Sequence, residues 1–334
     1  MEDYPLVSLP ILAITMKADA ESRSVIAGTI GTRAHVVYLT DLDDAERADV
    51  LRSATVVLTR HTPTELQPGE TGLMGHLKLL QFLTAGVDFI PMGDFPETLP
   101  IACNGGGYAE PMAEHALAMA LAAMKRLFIE HGKLGRGEFD QFRPNRMLRG
   151  SVCGILGFGG IGVATARVMR ALGVKVHAIN RRGASDEPVD WIGSNDALDE
   201  LLAASDILIL SVPLTRATQH MINSRALSAM KRDAVLINLA RGEVIEEAAL
   251  FEHLNAHPDF TACIDAWWVE PVRHGKFETG HDFMSLPNVI ASPHNSASVA
   301  GWRYVALKRA VENIATVLDG GDPLHLVPPS DRMM

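Results

Sequence analysis

The sequence predicts an α/β protein of two lobes, each a parallel sheet covered by helices, with an active-site cleft between them. Two observations carry this. Short apolar, β-branched runs alternate with helix-length amphipathic stretches from end to end, the pattern of parallel strands joined by crossover helices. The chain of 334 residues is also about twice the ~150 of a typical domain, enough for two cores.

The first strand series is expected at residues 11–16, 36–39, 54–58, 77–83 and 101–103. A loop of three glycines and a tyrosine, Gly105-Gly106-Gly107-Tyr108, then leads into a long helix over 114–131 with Ala116, Leu117, Ala120 and Leu121 on its apolar face. Residues 132–150 are polar and arginine-rich and read as an exposed arm or hinge carrying Phe139 and Phe142. The second series follows at 152–156, 174–179, 207–212, 234–239, 262–264 and 289–291. A last helix, about 299–319, begins only after that series is complete and is expected to return to the first lobe, leaving it discontinuous in sequence.

Composition narrows the function classes. Hydrophobic residues at 47% and charged residues at 21% are globular figures, which exclude disorder and fibrous repeats. The formal charge of −10 disfavours nucleic acid and anionic membranes, which need a positive footprint. Cys103, Cys153 and Cys263 form no disulfide framework and no metal-ligand spacing, and read as buried thiols in a reducing, cytoplasmic compartment. The start, MEDYPLVSLP, lacks the basic residue and apolar run of a secretory signal, and the uncharged stretch 116–124 is far too short to span a membrane.

The strongest local motif is SVCGILGFGGIG, residues 151–162: a buried strand, then Gly157-x-Gly159-x-x-Gly162, then an amphipathic helix over 163–172. In a dinucleotide-binding turn the first glycine allows the tight turn, the second lets a pyrophosphate approach the backbone, and the third lets helix and strand pack closely. The helix N-terminus offers free amides and a positive dipole end. An NAD site usually has a carboxylate about twenty residues on, but the chain there reads Asn180-Arg181-Arg182. Two guanidiniums offer a 2′-phosphate charge-assisted bonds worth roughly 1.5–3 kcal/mol each, so NADP is expected over NAD. The plain alternative is a solvated arginine pair on a loop.

Three later segments each set a polar residue just past a buried strand, where open α/β sheets place ligands: Arg241 in VLINLARGEV, Asp265 and Glu270 in CIDAWWVEP, and His294 in PNVIASPHNS. Singly, these could be a surface cation, a solvated acid and a turn histidine. Together they form a set with complementary roles.

At these residues the sequence resembles the D-isomer-specific 2-hydroxyacid dehydrogenases over nearly its whole length. The matching stretches are Leu83-Thr84-Ala85-Gly86-Val87-Asp88, Met112-Ala113-Glu114-His115, the glycine turn, Val212-Pro213-Leu214-Thr215, Asn238-Leu239-Ala240-Arg241-Gly242, Asp265 through Glu270-Pro271, and Ser292-Pro293-His294. The resemblance implies two Rossmann-like lobes: a flavodoxin-like, discontinuous substrate domain of residues 1–104 plus 299–334, and an NAD(P)-binding domain of residues 105–298. It implies that His294 gives a proton to the carbonyl oxygen of a 2-keto acid, that Glu270 orients the ring and stabilises its charged form, and that Arg241 binds the substrate carboxylate. The substrate would also touch amides of Ala85, Gly86 and Val87. Tyr108 either lines the pocket or is packed. The cofactor would be held by the turn from Gly157 through Phe158, Gly159, Gly160 and Ile161 to Gly162, by Asn180, Arg181 and Arg182, and by Val212, Pro213 and Thr218. Leu239, Ala240, Arg241, Asp265 and His294 would complete that site, with Asp265 accepting from the nicotinamide amide.

Asp88 itself reads as a helix N-cap. Trp267-Trp268 resemble the formate dehydrogenase branch, where glutamine typically stands at the position of Glu270. A Glu paired with His294 argues instead for a hydroxy acid. The expectation is thus NADPH-dependent reduction of a small 2-keto acid of the glyoxylate or hydroxypyruvate class, by a homodimer; in related dimers the arm crosses to the neighbouring subunit, which Phe139 and Phe142 would suit, the alternative being a local staple. The alternatives are formate- or phosphite-type oxidation and a non-catalytic, nucleotide-sensing protein of the same fold.

Overall fold

The computed structural model describes residues 9–332. The chain divides into two compact units, one formed by Met1–Gly107 with Ala300–Met334, the other by Tyr108–Val299.

The first unit carries β1 (Ile11–Ile14), β2 (His35–Tyr38), β3 (Val56–Thr59), β4 (Leu79–Phe82) and β5 (Ile101–Ala102), all parallel, in the order β2-β1-β3-β4-β5. Both faces of the sheet are covered, so its strands are continuous apolar runs. Leu12, Ile14, Val56, Leu58 and Leu79 face helix α1 (Ala20–Ile30) and the final helix, Trp302–Leu318. Ala13, Val57, Leu80 and Phe82 point to the other face, under α2 (Asp44–Ser53) and the loops that follow it, which include the short α3 (Thr62–Glu65). Residues after the final helix pair with the edge strand: Cys103 N donates to His325 O (3.1 Å) and Val327 N to Ile101 O (2.8 Å). The 2-1-3-4-5 order is flavodoxin-like, as expected.

The second unit opens with α4 (Ala109–Met124) and α5 (Leu127–Gly135), where the sequence suggests one helix over 114–131. The helix begins earlier because the three-glycine loop ends at Tyr108. It breaks because Arg126 adopts a left-handed backbone (φ 54°) and Lys125 Nζ donates across to Arg146 O at 2.8 Å. From 136 to 150 the backbone is neither helix nor strand, and Phe139 and Phe142 are 77% and 85% exposed, as the arm reading anticipates.

The sheet of this unit comprises β6 (Val152–Leu156), β7 (Lys175–Ile179), β8 (Trp191–Gly193), β9 (Ile207–Leu210), β10 (Val235–Asn238), β11 (Thr261–Ile264) and β12 (Val289–Ala291). It is parallel throughout, in the order β12-β11-β10-β9-β6-β7-β8. β8 is absent from the sequence reading: three half-buried residues at a sheet edge carry no apolar run. Connecting helices are α6 (Gly160–Ala171), α7 (Leu198–Ala204), α8 (Ser224–Ala229), α9 (Glu247–Ala256) and α10 (Pro271–His274). The chain leaves β6 toward β7 and β8, then returns to β9 on β6's other side, so the end of β6 is a topological switch point. Among the described residues no helix is long and apolar enough to cross a membrane, and no group of three or more His, Cys, Asp or Glu is placed to hold a metal. Cys153 and Cys263 are buried free thiols, Cys153 pushed up to about 12 by burial, while Cys103 is half-buried.

Candidate active site

The turn after β6 gives its three glycines distinct tasks. Gly157 has φ +103°, and a Cβ there would lie 2.7 Å from the backbone of Ser211 and Val212, so only glycine fits. Its amide and that of Phe158 both donate to Ile179 O at 3.0 Å, tying the turn to the end of β7. A Cβ on Gly162 would lie 2.4 Å from Gly157 O, the contact that seats α6 against the turn. Over Gly159, by contrast, there is open space. Helix α6 starts at Gly160, inside the glycine run, with no side-chain cap and no acidic residue in its first turn. Its N-terminal amides and positive dipole end therefore have no internal anion, and a pyrophosphate suits that bare, open cradle. Phe158 turns its side chain into the core, while Gly160 and Ile161 are half-exposed.

Beyond β7 the side chain of Asn180 is occupied by its own loop: Oδ1 accepts from Arg182 N (3.0 Å) and Nδ2 donates to Ala184 O (2.9 Å). It shapes the loop on which Arg181 and Arg182 are exposed. Val212 and Pro213 follow β9 at the surface, but the Thr218 hydroxyl is buried, donating to Pro213 O (2.6 Å) and accepting from Thr215 N (2.8 Å). Leu239 and Ala240 are buried, and Asn238 folds the turn after them: its Oδ1 accepts from Ala240 N and its Nδ2 donates to Arg241 O.

β10, β11 and β12 are neighbours, so the segments after them meet at one sheet edge. Gly242 has no room for a Cβ, which would fall 2.3 Å from the backbone of Trp267, so the Arg241 loop lies directly on the Trp267-Trp268 loop. Arg273 and Glu243 join the same two loops by an ion pair at 2.9 Å. Both tryptophans are buried struts, Trp267 Nε1 donating to Ser292 O and Trp268 Nε1 to Ile245 O. Glu270 is 7% exposed, accepts from Trp267 N at 2.7 Å, and has both carboxylate oxygens 2.8 Å from His294 Nδ1. Burial pushes the Glu270 carboxyl up, but the hydrogen bonds from His294 and Trp267 and the charges of His294 and Arg241 outweigh it and hold it below its ordinary range. An ionised Glu270 only accepts, so His294 Nδ1 carries a proton and Nε2 is the ring nitrogen left to face a ligand.

His294 itself sits in the left-handed region at φ 50°, uncommon outside glycine. Asp265 holds it there. His294 N donates to Asp265 O (2.9 Å), and the fully buried carboxylate accepts from Asn295 N (3.1 Å), Ser296 N (3.3 Å) and Ser292 Oγ (2.5 Å). The structure thus brings Arg241, Asp265, Glu270 and His294 together. Asn238 and Ser292 are supporting residues that the sequence reading gives no role, although both lie in the stretches it quotes.

One expectation changes. No helix starts at Asp88: it is buried in a turn closed by Ile90 N donating to Val87 O, so it is not an N-cap. Tyr108, at the head of α4, is half-buried against the core cluster of Met112 and Ala116. Ala85, Gly86 and Val87 follow β4 in the first unit and are half-buried.

A fold of two parallel-sheet α/β units with this glycine turn and this Arg/Glu/His set defines a dinucleotide-dependent oxidoreductase class. The family model for the NAD binding domain of D-isomer specific 2-hydroxyacid dehydrogenases matches residues 117–296, and the chain belongs to that family. It is 32% identical over 254 residues to a hydroxypyruvate reductase of Thermotoga maritima, covering 75% of this chain and 78% of that protein. A glyoxylate reductase of Thermofilum pendens is 32% identical over 264 residues, covering 75% of each. Among solved structures, the D-isomer specific 2-hydroxyacid dehydrogenase from Xanthobacter autotrophicus Py2 in complex with NADPH and MES superposes with TM-score 0.78 at 25% identity, covering 96% of this chain and 99% of that one.

Proposed function

We propose that the protein reduces a small 2-keto acid of the glyoxylate or hydroxypyruvate class to the D-2-hydroxy acid, using NADPH. The observation that carries this is the His294–Glu270 pair, a ring fixed through Nδ1 by a buried, ionised carboxylate. In this reading His294 Nε2 gives the proton to the carbonyl oxygen, and Glu270 holds the ring's aim through Nδ1. Arg241 receives the substrate carboxylate in its planar donor fork and draws charge toward the carbonyl. A reduced nicotinamide supplies the two electrons. The turn from Gly157 to Gly162 would hold its pyrophosphate, and Asp265, Leu239, Ala240, Val212 and Pro213 would line the remainder.

NADP is favoured over NAD because Asn180 stands where a carboxylate would repel a 2′-phosphate, with Arg181 and Arg182 exposed beside it. The relatives named glyoxylate and hydroxypyruvate reductase support the substrate class. The glutamate at position 270 disfavours formate-type chemistry, which needs no acid–base pair. We take the protein to be a homodimer, because Phe139 and Phe142 stand exposed on an otherwise polar, arginine-rich arm, and to be cytoplasmic, because its cysteines are free thiols.

The test mixes purified protein with NADPH or NADH and a panel of 2-keto acids, following loss of the reduced cofactor's absorbance. Rapid NADPH oxidation with glyoxylate or hydroxypyruvate is expected. Tight NADPH binding with no turnover would replace the enzyme by a nucleotide sensor, and equal use of NADH would remove the role given to Arg181 and Arg182.

A further inference from the structure

Helix α4 reaches the His294 turn through a chain of hydrogen bonds that the catalytic reading does not use. His115 lies in the second turn of α4, which packs over β10 and β11, and its imidazole is half-buried, with 25% of the side chain exposed. Its Nε2 is 3.1 Å from Ser292 Oγ, and Ser292 Oγ is 2.5 Å from Asp265 Oδ1. The directions of these bonds follow from counting protons. A serine hydroxyl has one, and an oxygen–oxygen approach of 2.5 Å to a carboxylate requires that proton between them. Ser292 therefore donates to Asp265 and accepts from His115, so His115 Nε2 carries a proton and donates.

The chain ends on the catalytic turn. Asp265 Oδ1 also accepts from Asn295 N, Oδ2 accepts from Ser296 N, and the backbone oxygen of Asp265 accepts from His294 N. These bonds hold His294 in a left-handed conformation that persists only where its surroundings over-determine it. Asp265 is wholly buried, so each donor it keeps matters to where its oxygens sit.

We infer that His115 is a positioning residue for His294: by donating to Ser292 it orients the hydroxyl that fixes Asp265, and Asp265 fixes the backbone from which the imidazole of His294 projects. His115 touches neither Glu270 nor His294 directly: it acts on Asp265, through the Ser292 hydroxyl and by its own Nε2, 3.9 Å from Asp265 Oδ1. The inference rests on the reading of His294 as proton donor for its kinetic consequence, and on geometry alone for its structural one.

The test combines kinetics with the imidazole proton signals of His294, assigned by their loss in His294→Gln. His115→Leu removes the donor, and His115→Gln keeps an N–H of similar reach. His115→Leu is expected to shift the His294 signals and to lower kcat for the keto acid by about 10- to 100-fold, the scale of a misaimed catalytic group, with KM for NADPH unchanged. His115→Gln should recover most of both. Ser292→Ala should lower kcat and shift the His294 signals in the same direction, and the double variant should lose less than the two single losses combined, because both act on Asp265. Unmoved His294 signals with wild-type kcat in His115→Leu would overturn the inference, as would fully additive losses in the double variant. If wild-type protein turns over no keto acid, the proposed reaction falls, and the His294 signals in the Leu and Gln variants still decide the role of His115.

Discussion

The turn after β6 and the segments after β10, β11 and β12 lie at the same end of one parallel sheet, yet they are built from different parts of the chain. From Gly157 to Gly162 no side chain bears a charge or a hydroxyl: the turn works through bare amides, an open space over Gly159 and two glycines that admit no Cβ. Arg241, Glu270 and His294 come from separate segments and work through side chains, each loop tied to its neighbour by Gly242, by the Arg273–Glu243 pair or by Asp265. A backbone site is carried by local conformation and is compact in sequence. A side-chain site depends on sheet order and is dispersed.

If the two regions are separable, His294→Gln removes turnover and leaves binding alone. The loss expected for a general acid is about 10²–10⁴-fold in kcat, with the NADPH dissociation constant unchanged in a cofactor-fluorescence titration. A weakened NADPH complex would show that the regions are not independent. Next in size is Arg181→Ala with Arg182→Ala, which should weaken NADPH by roughly tenfold or more while NADH is unaffected, the scale of one charge-assisted bond. Competition titrations with the two nucleotides read this directly.

The glycine turn can then be divided against itself. Gly162→Ala forces a methyl toward Gly157 O and should destabilise the second unit by about 1–3 kcal/mol, as overpacking does. Gly159→Ala meets nothing in the protein, so the urea midpoint should stay while dinucleotide affinity falls. Equal stability of the two variants would mean that the turn relaxes and that its glycines are not specialised.

The smallest effect lies outside both regions. His253 stacks on His257 (centroids 4.1 Å apart), its Nε2 is buried without a hydrogen-bond partner, and burial, aided by the charge of His257, pushes it down to about 4. Between pH 6.5 and about 4 the unfolded chain binds a proton that the folded one refuses, so His253 lowers stability as pH falls through that window and has no effect above it. Urea unfolding of His253→Leu at neutral and mildly acid pH should show a flatter pH dependence than wild type. An identical slope would assign the acid sensitivity elsewhere.

The same contrast explains what the sequence reveals. Buried parallel strands are plain because both faces are apolar, and the glycine triplet is plain because a close backbone approach tolerates nothing larger. Arg241, Glu270 and His294 stand out as polar residues ending apolar runs. Features decided by one residue's conformation or by a distant partner do not stand out: the break at Arg126, the left-handed backbone of His294, the turn at Asp88 and the edge strand β8. Asn180 is visible as a missing carboxylate, but its use in shaping its own loop depends on Ala184 and Arg182, which no spacing rule selects.

The final helix supplies Leu307, Ala310, Val311, Ile314 and Val317 to the core that also contains Ile26 and Ile30 of α1. A chain made from its N-terminus emerges through all of Tyr108–Val299 before that helix exists. The contiguous second unit can close its core as soon as it is made, while one apolar face of β1, β3 and β4 has only α1 against it. The unit whose strands come first in the sequence therefore lacks part of its core until the last helix is present.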